Sequence, residues 1–591
     1  MRRRRTVTLT LVGAMLLASL ALGVPAVQAH GKKKPSRVLI VMLDQARPDT
    51  IKRYDMDNVK ALMRDGVSFP NALVGHMAAE TVISHNVITS GLFPKHMGWS
   101  NEVYRDVDGV LGTAGDYYVT SSMACSQFQT LIEHGQYKKL QDYLDDRFGS
   151  ASKFASIAQK RTSACTSGHT SSAADGDETD PEDFIFQIRG GASSTVCDPD
   201  YHLSSWRQPE FVSGNPPPAY LGLAFPCSRW STWQEAGAYG TGGILPAAIY
   251  PLDGDRFVPG RDDLHVGGDN WSADAAIRVI EADPDWHGML VSLGAIDKMG
   301  HMWGPEDDVT GPPGSDQQIS HLPFAAKNAD AQVGRIVDAL RAKGILDETL
   351  IVITADHAAQ TGRPFLGRLD GPLTSGGVRC DSVNGSSGLR SDCNWYYGQD
   401  ADENYRDPSP AVAALRAALT PPGGDPVTDT NLAFSYQDGH VAAWLKDNSP
   451  ARKRQAAAAA LNLPGVIATY RLNDAQNRYR LFDTNPMGNA DRRWFGSHAQ
   501  DLVDTMAAPF GPDVVALLKT DVTYGVMGDH GGHNRLVQNI PMVFSGPGVG
   551  TKDSKKELRL VDVLPTVLDT MGIDYDEHDF DGEAVGLGRG H

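Results

Sequence analysis

The chain has 591 residues and a formal net charge of −18, so it is long enough for one large catalytic domain with elaborations, or for two domains. Its acidity argues against a broad basic surface, and therefore against a nucleic-acid-binding module. An anionic substrate would have to be captured by something locally positive, such as metal ions.

The N-terminus has the pattern of a secretory signal. Four arginines, Arg2 to Arg5, precede an apolar run from Val7 to Val24, and small residues flank Gln28. We expect residues 1–29 to be a signal peptide, exported by the Sec or the twin-arginine route, whose removal leaves a secreted chain without a transmembrane anchor. A retained membrane span is the alternative, but the apolar run is short and is interrupted by glycine.

Three short apolar runs predict buried strands of a parallel sheet. They are Val38–Leu43, Leu290–Leu293 and Leu350–Thr354. An aspartate follows each run within a few residues: Asp44, Asp297 and Asp356. Because ligands of such sheets bind beyond the carboxyl ends of the strands, these aspartates are candidate site residues.

Helical patterns alternate with these strands. One helix is predicted from Asp57 to Gly66, and another ends at Gly344. An amphipathic segment opens at Thr81 and closes at Gly91. The alternation of strand and helix predicts an α/β fold built on one sheet.

Two stretches with weak periodicity, about 107–260 and about 363–426, are rich in small and turn-forming residues. We predict that they are irregular insertions in a single catalytic domain of residues 30–591, with one sheet continuing on either side. An even set of cysteines in an exported chain favours up to three disulfides. The six are Cys125, Cys165, Cys197, Cys227, Cys380 and Cys393, and only the closeness of the last two suggests a particular bridge.

Four separated clusters contain the residues that a two-metal site needs. They are Asp44, Asp297 with His301, Asp356 with His357, and His530 in a glycine-rich turn. Mixed carboxylate and imidazole ligands suit Zn²⁺, with Mn²⁺ or iron as alternatives. A single strand-terminal aspartate is commonly a helix cap, and a histidine beside an aspartate is commonly a surface pair. The joint occurrence of all four clusters favours metal binding.

Thr81 is the candidate nucleophile. It is predicted at a helix N-terminus, where backbone N–H groups and the helix dipole favour phosphoryl oxygens. A metal ion at its hydroxyl would favour the alkoxide near neutral pH. An ordinary helix cap is the alternative, and it would be preferred if the metal clusters were absent.

Five motifs, in this order, resemble the type I phosphodiesterase and nucleotide pyrophosphatase family, a branch of the alkaline phosphatase superfamily. They are Asp44–Asp49, Thr81–Gly98, Ile296–Pro305, Thr354–His357 and His530–Asn534. The resemblance covers about residues 37–98, 269–362 and 521–582 and leaves the insertions unmatched. It implies an alkaline phosphatase-like three-layer α/β/α sandwich around a mostly parallel sheet.

The resemblance also implies roles for individual residues. One metal ion would be held by Asp297, His301 and His530, and a second by Asp44, Asp356, His357 and the Thr81 oxygen. Asn101 occupies nearly the place of the asparagine that contacts a phosphoryl oxygen in the family, with a spacing one residue short. The implied reaction is attack by Thr81 on a small-molecule phosphoester, which gives a phosphothreonine intermediate.

Two departures from the family pattern concern the substrate. Val82 to Ser84 stand where Phe-Pro-Asn is more usual, and Gly532-His533 stand where Tyr-Asp is common. The sequence favours a phosphodiesterase or nucleotide pyrophosphatase and leaves a phosphomonoesterase or phosphonate hydrolase open. A dianionic monoester would need an extra cation, usually an arginine or a third metal ion. We expect His533 to be an exposed loop histidine, with a partner of a metal ligand or a substrate contact as alternatives.

Two further classes are disfavoured. A sulfatase needs a Cys/Ser-x-Pro-x-Arg motif, and the segment that begins at Thr81 does not provide it. A secreted binding protein that has lost catalysis would be expected to have lost a ligand or the nucleophile, whereas all seven candidate positions hold competent residues. No pattern in the chain predicts an oligomeric state.

Overall fold

A computed structural model of the chain describes residues 34–120, 123–158, 160–169, 184–187, 267–297, 300, 305, 321–361, 363–364, 410–524 and 528–588. In chain order its strands are β1 (Arg37–Leu43), β2 (Val67–Ser68), β3 (Val103–Arg105), β4 (Tyr117–Val119), β5 (Lys153–Ala158), β6 (Phe184–Gln187), β7 (Trp286–Leu293), β8 (Thr349–Thr354), β9 (Gln360–Thr361), β10 (Arg363–Pro364), β11 (Leu432–Gln437), β12 (His440–Leu445), β13 (Val466–Asn473), β14 (Arg478–Thr484), β15 (Val514–Leu518), β16 (Val522–Thr523), β17 (Gly528–Asp529) and β18 (Met542–Ser545). Its α-helices are α1 (Pro48–Arg53), α2 (Asp57–Asp65), α3 (Thr81–Ser90), α4 (Pro94–Met97), α5 (Cys125–Gly135), α6 (Leu140–Phe148), α7 (Arg161–Ser167), α8 (Gly267–Ala282), α9 (His321–Lys343), α10 (Pro410–Leu419), α11 (Pro450–Leu461), α12 (Asn489–Asp504), α13 (Arg535–Gln538) and α14 (Val563–Met571).

A seven-stranded sheet with the order β2-β18-β8-β1-β7-β5-β6 lies at the centre of the molecule. The five strands from β8 to β6 are parallel, whereas β18 and β2 form an antiparallel edge. From Val38 onward β1 is buried throughout, as expected for a parallel strand covered on both faces. The carboxyl ends of β8, β1, β7 and β5 therefore lie side by side.

Helices pack on one another beside this sheet. The prediction of an α/β fold is confirmed. Helix α9 packs against α8 and α2, while α3 packs against α7 and α14. The predicted helix ends are confirmed: α2 stops before Gly66, α9 before Gly344, and α3 before Gly91. Gly91 has a φ of 68°, and its N–H donates to the Val87 carbonyl, which closes the helix.

The prediction that α3 is amphipathic is wrong. All ten of its residues are buried. Its polar side chains bond inside the protein; the Asn86 amide, for example, donates to the Tyr137 hydroxyl over 2.8 Å. A helix enclosed on every side holds its N-terminal residue in one place, and that residue is Thr81.

Regular structure replaces part of the irregular insertion predicted at about 107–260. Helices α5, α6 and α7 and strands β5 and β6 lie in this stretch, and both strands extend the central sheet. Strand β5 gave a weak signal because alanine and serine fill half of its six positions, yet its last five residues are buried. Residues 188–266 and 365–409, which make up much of both predicted insertions, lie outside the described residues.

We predicted that one sheet continues beyond the second insertion, and for residues 410–518 this prediction is wrong. Strands β11-β12-β15-β13-β14 form a second, antiparallel sheet. Its local hairpins pair strands that are close in sequence, and α10 and α11 pack with it around a separate apolar cluster that includes Leu415, Ala457 and Val514. The turn between β11 and β12 reaches the segment after β17, where Gly439 N–H donates to the His530 carbonyl over 2.8 Å.

One disulfide, Cys125–Cys165, joins α5 to α7. The pair suggested by sequence, Cys380 and Cys393, lies outside the described residues, as do residues 1–29. In the part of the chain that the structure covers, no helix is both long enough and apolar enough to cross a bilayer.

Candidate active site

Four neighbouring strands of the central sheet each deliver polar side chains to one edge. Asp44 directly follows β1, Asp297 comes after β7, and Asp356 and His357 come after β8. Lys160, two residues beyond β5, reaches the same place. The carboxylates and His357 are buried, and about a fifth of the Lys160 side chain (21%) is exposed.

These side chains form two overlapping groups of metal ligands. The candidate ligand atoms of Asp44, Asp356 and His357 lie within 4.8 Å of one another, and so do those of Asp297, His357 and His530. The rings of His357 and His530 stack with centroids 3.8 Å apart. The structure thus brings together five of the candidate metal ligands, while His301 lies outside the described residues.

The donor set fits two divalent cations. Among the described residues, no group donates a hydrogen bond to Asp356 Oδ2 or Asp44 Oδ1, although both atoms are buried. Burial and then the nearby Asp356 raise the pKa of Asp44 well above its ordinary value, and burial raises the pKa of Asp356 to about 6. Carboxylates held this close in a buried site require positive charge, and the added imidazoles suit zinc-class ions.

Gln45 fixes the geometry of two of these carboxylates. Its backbone N–H donates to Asp356 Oδ1 and its side-chain amide donates to Asp297 Oδ1, both over 3.1 Å. The residue adopts a φ of 66°, which is uncommon for a side chain larger than glycine. No sequence pattern singled out Gln45 as a site residue.

Thr81 is the first residue of α3, after Glu80 as the N-cap. Its hydroxyl oxygen lies 3.2 Å from His357 Nε2 and 3.3 Å from Lys160 Nζ. The first backbone N–H groups of a helix have no acceptor inside it, so this turn offers donors to an anion. Thr81 therefore has a hydroxyl group beside a candidate metal ligand, and it lies at a helix N-terminus that favours anions.

Lys160 is a second residue of this site that no sequence pattern indicated. Its ammonium lies 2.6 Å from Asp44 Oδ2 and 2.6 Å from Asp297 Oδ2. Burial acts to lower the pKa of Lys160, but the carboxylates, Asp297 foremost, outweigh it and raise the pKa above its ordinary value. The charged carboxylates therefore favour the ammonium form of Lys160. The signal that could have found it is its position after a strand, which the weak pattern of β5 concealed.

His85 connects the first turn of α3 to the sheet. Its Nδ1 lies 2.8 Å from the Thr81 carbonyl and its Nε2 lies 3.0 Å from Ser292 Oγ on β7. Burial lowers the pKa of His85 to about 3, so the ring is neutral. It is a structural link beside the candidate nucleophile, and no sequence pattern identified it.

Asn101 and His533 are the two remaining candidates. The Asn101 amide donates to His440 Nε2 over 3.0 Å, and its hydrogen-bonding contacts in the structure are with this histidine, Val103 N–H and Met506. The expectation that His533 is exposed is wrong. Its exposed fraction is 3%, because α12 covers it and the Trp494 indole N–H donates to its carbonyl.

The fold and the site together define a metal-dependent hydrolase with alkaline phosphatase-like architecture. Residues 38–471 match the family model described as type I phosphodiesterase / nucleotide pyrophosphatase. The chain belongs to this family and is a metal-dependent phosphoester hydrolase.

Solved structures resemble the chain over nearly its full length. Wild-type alkaline phosphatase PafA has a TM-score of 0.60 at 14% identity, covering 94% of this chain and 99% of that chain. Murine and human ectonucleotide pyrophosphatase / phosphodiesterase 5 each have a TM-score of 0.47 at 11% identity, covering 93% of this chain and 97% of theirs. At such identities the likeness to PafA supports the fold. No curated protein sequence matches the chain.

Proposed function

We propose that the chain is a two-metal phosphomonoesterase that uses Thr81 as its nucleophile. The observation that carries the choice of substrate is Lys160, whose ammonium is within hydrogen-bonding distance of the Thr81 hydroxyl. A phosphodiester is the second candidate substrate, and the match to the phosphodiesterase family model favours it.

The chemistry begins at Thr81. Its oxygen forms a bond to phosphorus while the bond from phosphorus to the leaving-group oxygen breaks, and water later cleaves the phosphothreonine to regenerate the hydroxyl. Two divalent ions, most simply Zn²⁺, held by Asp44, Asp356 and His357 and by Asp297, His301 and His530, would supply Lewis-acid stabilisation of the entering and leaving oxygens. The Lys160 ammonium stabilises the Thr81 oxygen when the hydroxyl loses its proton, before the oxygen attacks phosphorus.

The charge of the substrate distinguishes the two candidates. A phosphate monoester carries one more negative charge than a diester, and a third cation in the site therefore favours the monoester. In the structure Lys160 contacts Asp44 and Asp297. Divalent ions held by these carboxylates would offset their charge, and the Lys160 ammonium would then be available to the phosphoryl group that Thr81 attacks.

The solved structures of PafA offer further support. One of them is a variant in which a threonine, an asparagine, a lysine and an arginine are substituted. Three of these residue types occur together in this chain as Thr81, Asn101 and Lys160. Asn101 is our candidate for a substrate contact, because rotation of its amide away from His440 would free two donors for a phosphoryl oxygen.

We also propose that the protein is secreted after loss of residues 1–29. The Cys125–Cys165 disulfide supports this location, because such bonds persist in oxidising compartments. N-terminal sequencing of protein recovered from culture medium should begin at His30; a start at Met1 would exclude cleavage.

A pair of substrates with one leaving group tests the proposed activity. p-Nitrophenyl phosphate and bis(p-nitrophenyl) phosphate should be compared with the Zn²⁺-loaded enzyme. We expect kcat/KM to be higher for the monoester by about 10²-fold or more, the effect of a well-placed charged contact. A preference for the diester would replace the proposal with the second candidate, and hydrolysis of neither would contradict both.

A further inference from the structure

Three buried carboxylates lie beyond His530, on the side away from the two-metal site. Glu80, Asp438 and Asp529 come from three separate segments: the residue before α3, the β11–β12 turn, and β17. His530 stands between the two regions, with Nε2 3.8 Å from Asp297 Oδ1 and Nδ1 3.8 Å from Asp438 Oδ2. The candidate ligand atoms of Asp438, Asp529 and His530 lie within 4.8 Å of one another.

Side chains converge on a small space beside Gly531. The position that a Cβ would take at Gly531 is 3.2 Å from Glu80 Oε1, 3.4 Å from His440 Nδ1 and 3.7 Å from Asp438 Cγ. Gly531 has a φ of 77° and no side chain, so this space is left to its neighbours. Three residues therefore face one point, and two of them, Glu80 and Asp438, are acidic.

Several of these atoms have no hydrogen-bond partner among the described residues. They are Glu80 Oε1, Asp438 Oδ1 and His440 Nδ1, and their residues are at most 2% exposed. In the same part of the chain, no lysine or arginine forms an ion pair with Glu80, Asp438 or Asp529. Burial, with the nearby carboxylates, raises the pKa of both Glu80 and Asp438. The pocket has oxygen ligands but lacks a counter-charge.

We propose that Glu80, Asp438 and Asp529 bind a third, hard divalent cation of the Ca²⁺ or Mg²⁺ class. Carboxylate oxygens are the ligands that these ions prefer, whereas the imidazole-rich site on the other side of His530 suits zinc. The Tyr436 hydroxyl, which donates to Asp438 Oδ2 over 3.1 Å, and the Thr523 hydroxyl, which donates to Asp529 Oδ2 over 2.8 Å, orient two of the carboxylates.

Such an ion would join the β11–β12 turn of the second sheet to β17 and to the residue before Thr81. Backbone hydrogen bonds already connect the same segments: Gly531 N–H donates to the Ala79 carbonyl over 3.0 Å, and Gly439 N–H donates to the His530 carbonyl. Glu80 precedes Thr81, and Asp438 faces His530. The cation would therefore fix the N-terminus of α3 and the orientation of a zinc ligand, whichever phosphoester is the substrate.

The alternative for such a pocket is a proton shared between carboxyl groups, and metal analysis distinguishes the two. The full-length protein, loaded with two equivalents of Zn²⁺ in metal-free buffer, should be titrated with CaCl₂ and, separately, MgCl₂. We expect one further ion per chain by elemental analysis after desalting, and a Tm that rises to saturation with one of the two salts. The proposal would be overturned if neither salt added a third ion and neither salt raised the Tm.

The variant Glu80→Gln/Asp529→Asn should lose the third ion and the Tm response while it retains two Zn²⁺. With repulsion removed, its Tm in cation-free buffer should equal or exceed that of the wild type. Asp330→Asn is the matched control: Asp330 is a buried carboxylate on α9 that accepts hydrogen bonds from Asn58 and Val59, so this variant should lose stability but keep the cation response. An unchanged response in the double variant would contradict the assignment, and Asp529→Asn alone serves if the double variant does not fold. Zinc content and substrate preference test the proposed function separately.

Discussion

Lys160 Nζ lies 3.3 Å from Thr81 Oγ1, although 79 positions separate the two residues in the chain. Thr81 begins a buried helix and Lys160 follows a strand of the central sheet, so the contact exists only because α7 packs against α3. It places a cation beside the proposed nucleophile, and this contact is the reason for proposing the monoester ahead of the diester.

Replacing Lys160 tests its role in substrate selection. Lys160→Ala should lower kcat/KM for p-nitrophenyl phosphate by about 10²-fold, because one charged contact to the reacting phosphoryl group is lost. Hydrolysis of bis(p-nitrophenyl) phosphate, which carries less charge, should change by less than about tenfold. Lys153→Ala, on β5 but paired with Asp283, is the control. Equal losses on both substrates would exclude a role in selecting the monoester.

Thr81 should be indispensable for turnover. Thr81→Ala removes the oxygen that attacks phosphorus, and we expect kcat to fall by about 10³-fold or more, as for other lost nucleophiles. The Zn²⁺ content should stay at two per chain, since the other ligands remain. Ser84→Ala, one turn further along α3, should retain activity because, among the described residues, its hydroxyl bonds only to His76. Near-normal turnover by Thr81→Ala would remove Thr81 from the mechanism.

Metal removal should destabilise the protein in a pH-dependent manner. The folded-state pKa of Asp356, about 6 without metal, lies above its unfolded value of 3.8. Stability contributed by its protonated form is therefore present below pH 3.8 and is lost as the pH rises to 6. The Tm difference between Zn²⁺-loaded and chelator-treated protein should be larger at pH 7.5 than at pH 5.0. A difference that shrinks with rising pH would contradict this account of the site.

Loss of the Cys125–Cys165 disulfide should weaken the support of Lys160. The bond joins α5 to α7, the helix that directly follows Lys160, and it closes a sequence separation of 40 residues. The double variant Cys125→Ala/Cys165→Ala should lose about 3 kcal/mol of stability, measured by denaturant unfolding. Its monoester activity should also fall more than its diester activity. Unchanged stability on reduction of the wild type would show that the bond is dispensable.

Acid should destabilise the protein partly through His76. Burial lowers the pKa of this histidine to about 3, below its unfolded value of 6.5. Its contribution to stability is full above pH 6.5 and is lost as the pH falls towards 3. Between pH 7 and pH 5 the wild type should therefore lose about 2 kcal/mol more than His76→Gln. Unfolding free energies at the two pH values, with Zn²⁺ held constant, provide the measurement; equal losses in both proteins would contradict it.

The sequence predicted those strands and helices whose own residues form a clear apolar pattern. Strand β1 reads as a continuous apolar run because it is covered on both faces, and Asp44 follows it directly. Strand β5 gave only a weak signal, because alanine and serine fill half of its positions and do not form a continuous apolar run. These residues are nevertheless buried by the neighbouring elements. The second sheet was not predicted, because the sequences of β11 to β15 do not indicate which strands pair with one another.

The sequence by itself determined the candidate ligands, the candidate nucleophile and the family, because strand ends and glycine-rich turns carry these residues in a fixed order. Only the tertiary structure decided which polar groups meet. Lys160 reaches Thr81, Gln45 bridges Asp356 and Asp297, His533 is buried, and three carboxylates gather beyond His530. Charge and hydrogen bonding act over a few ångströms, so distances between segments remote in sequence settle the chemistry that a linear pattern leaves open.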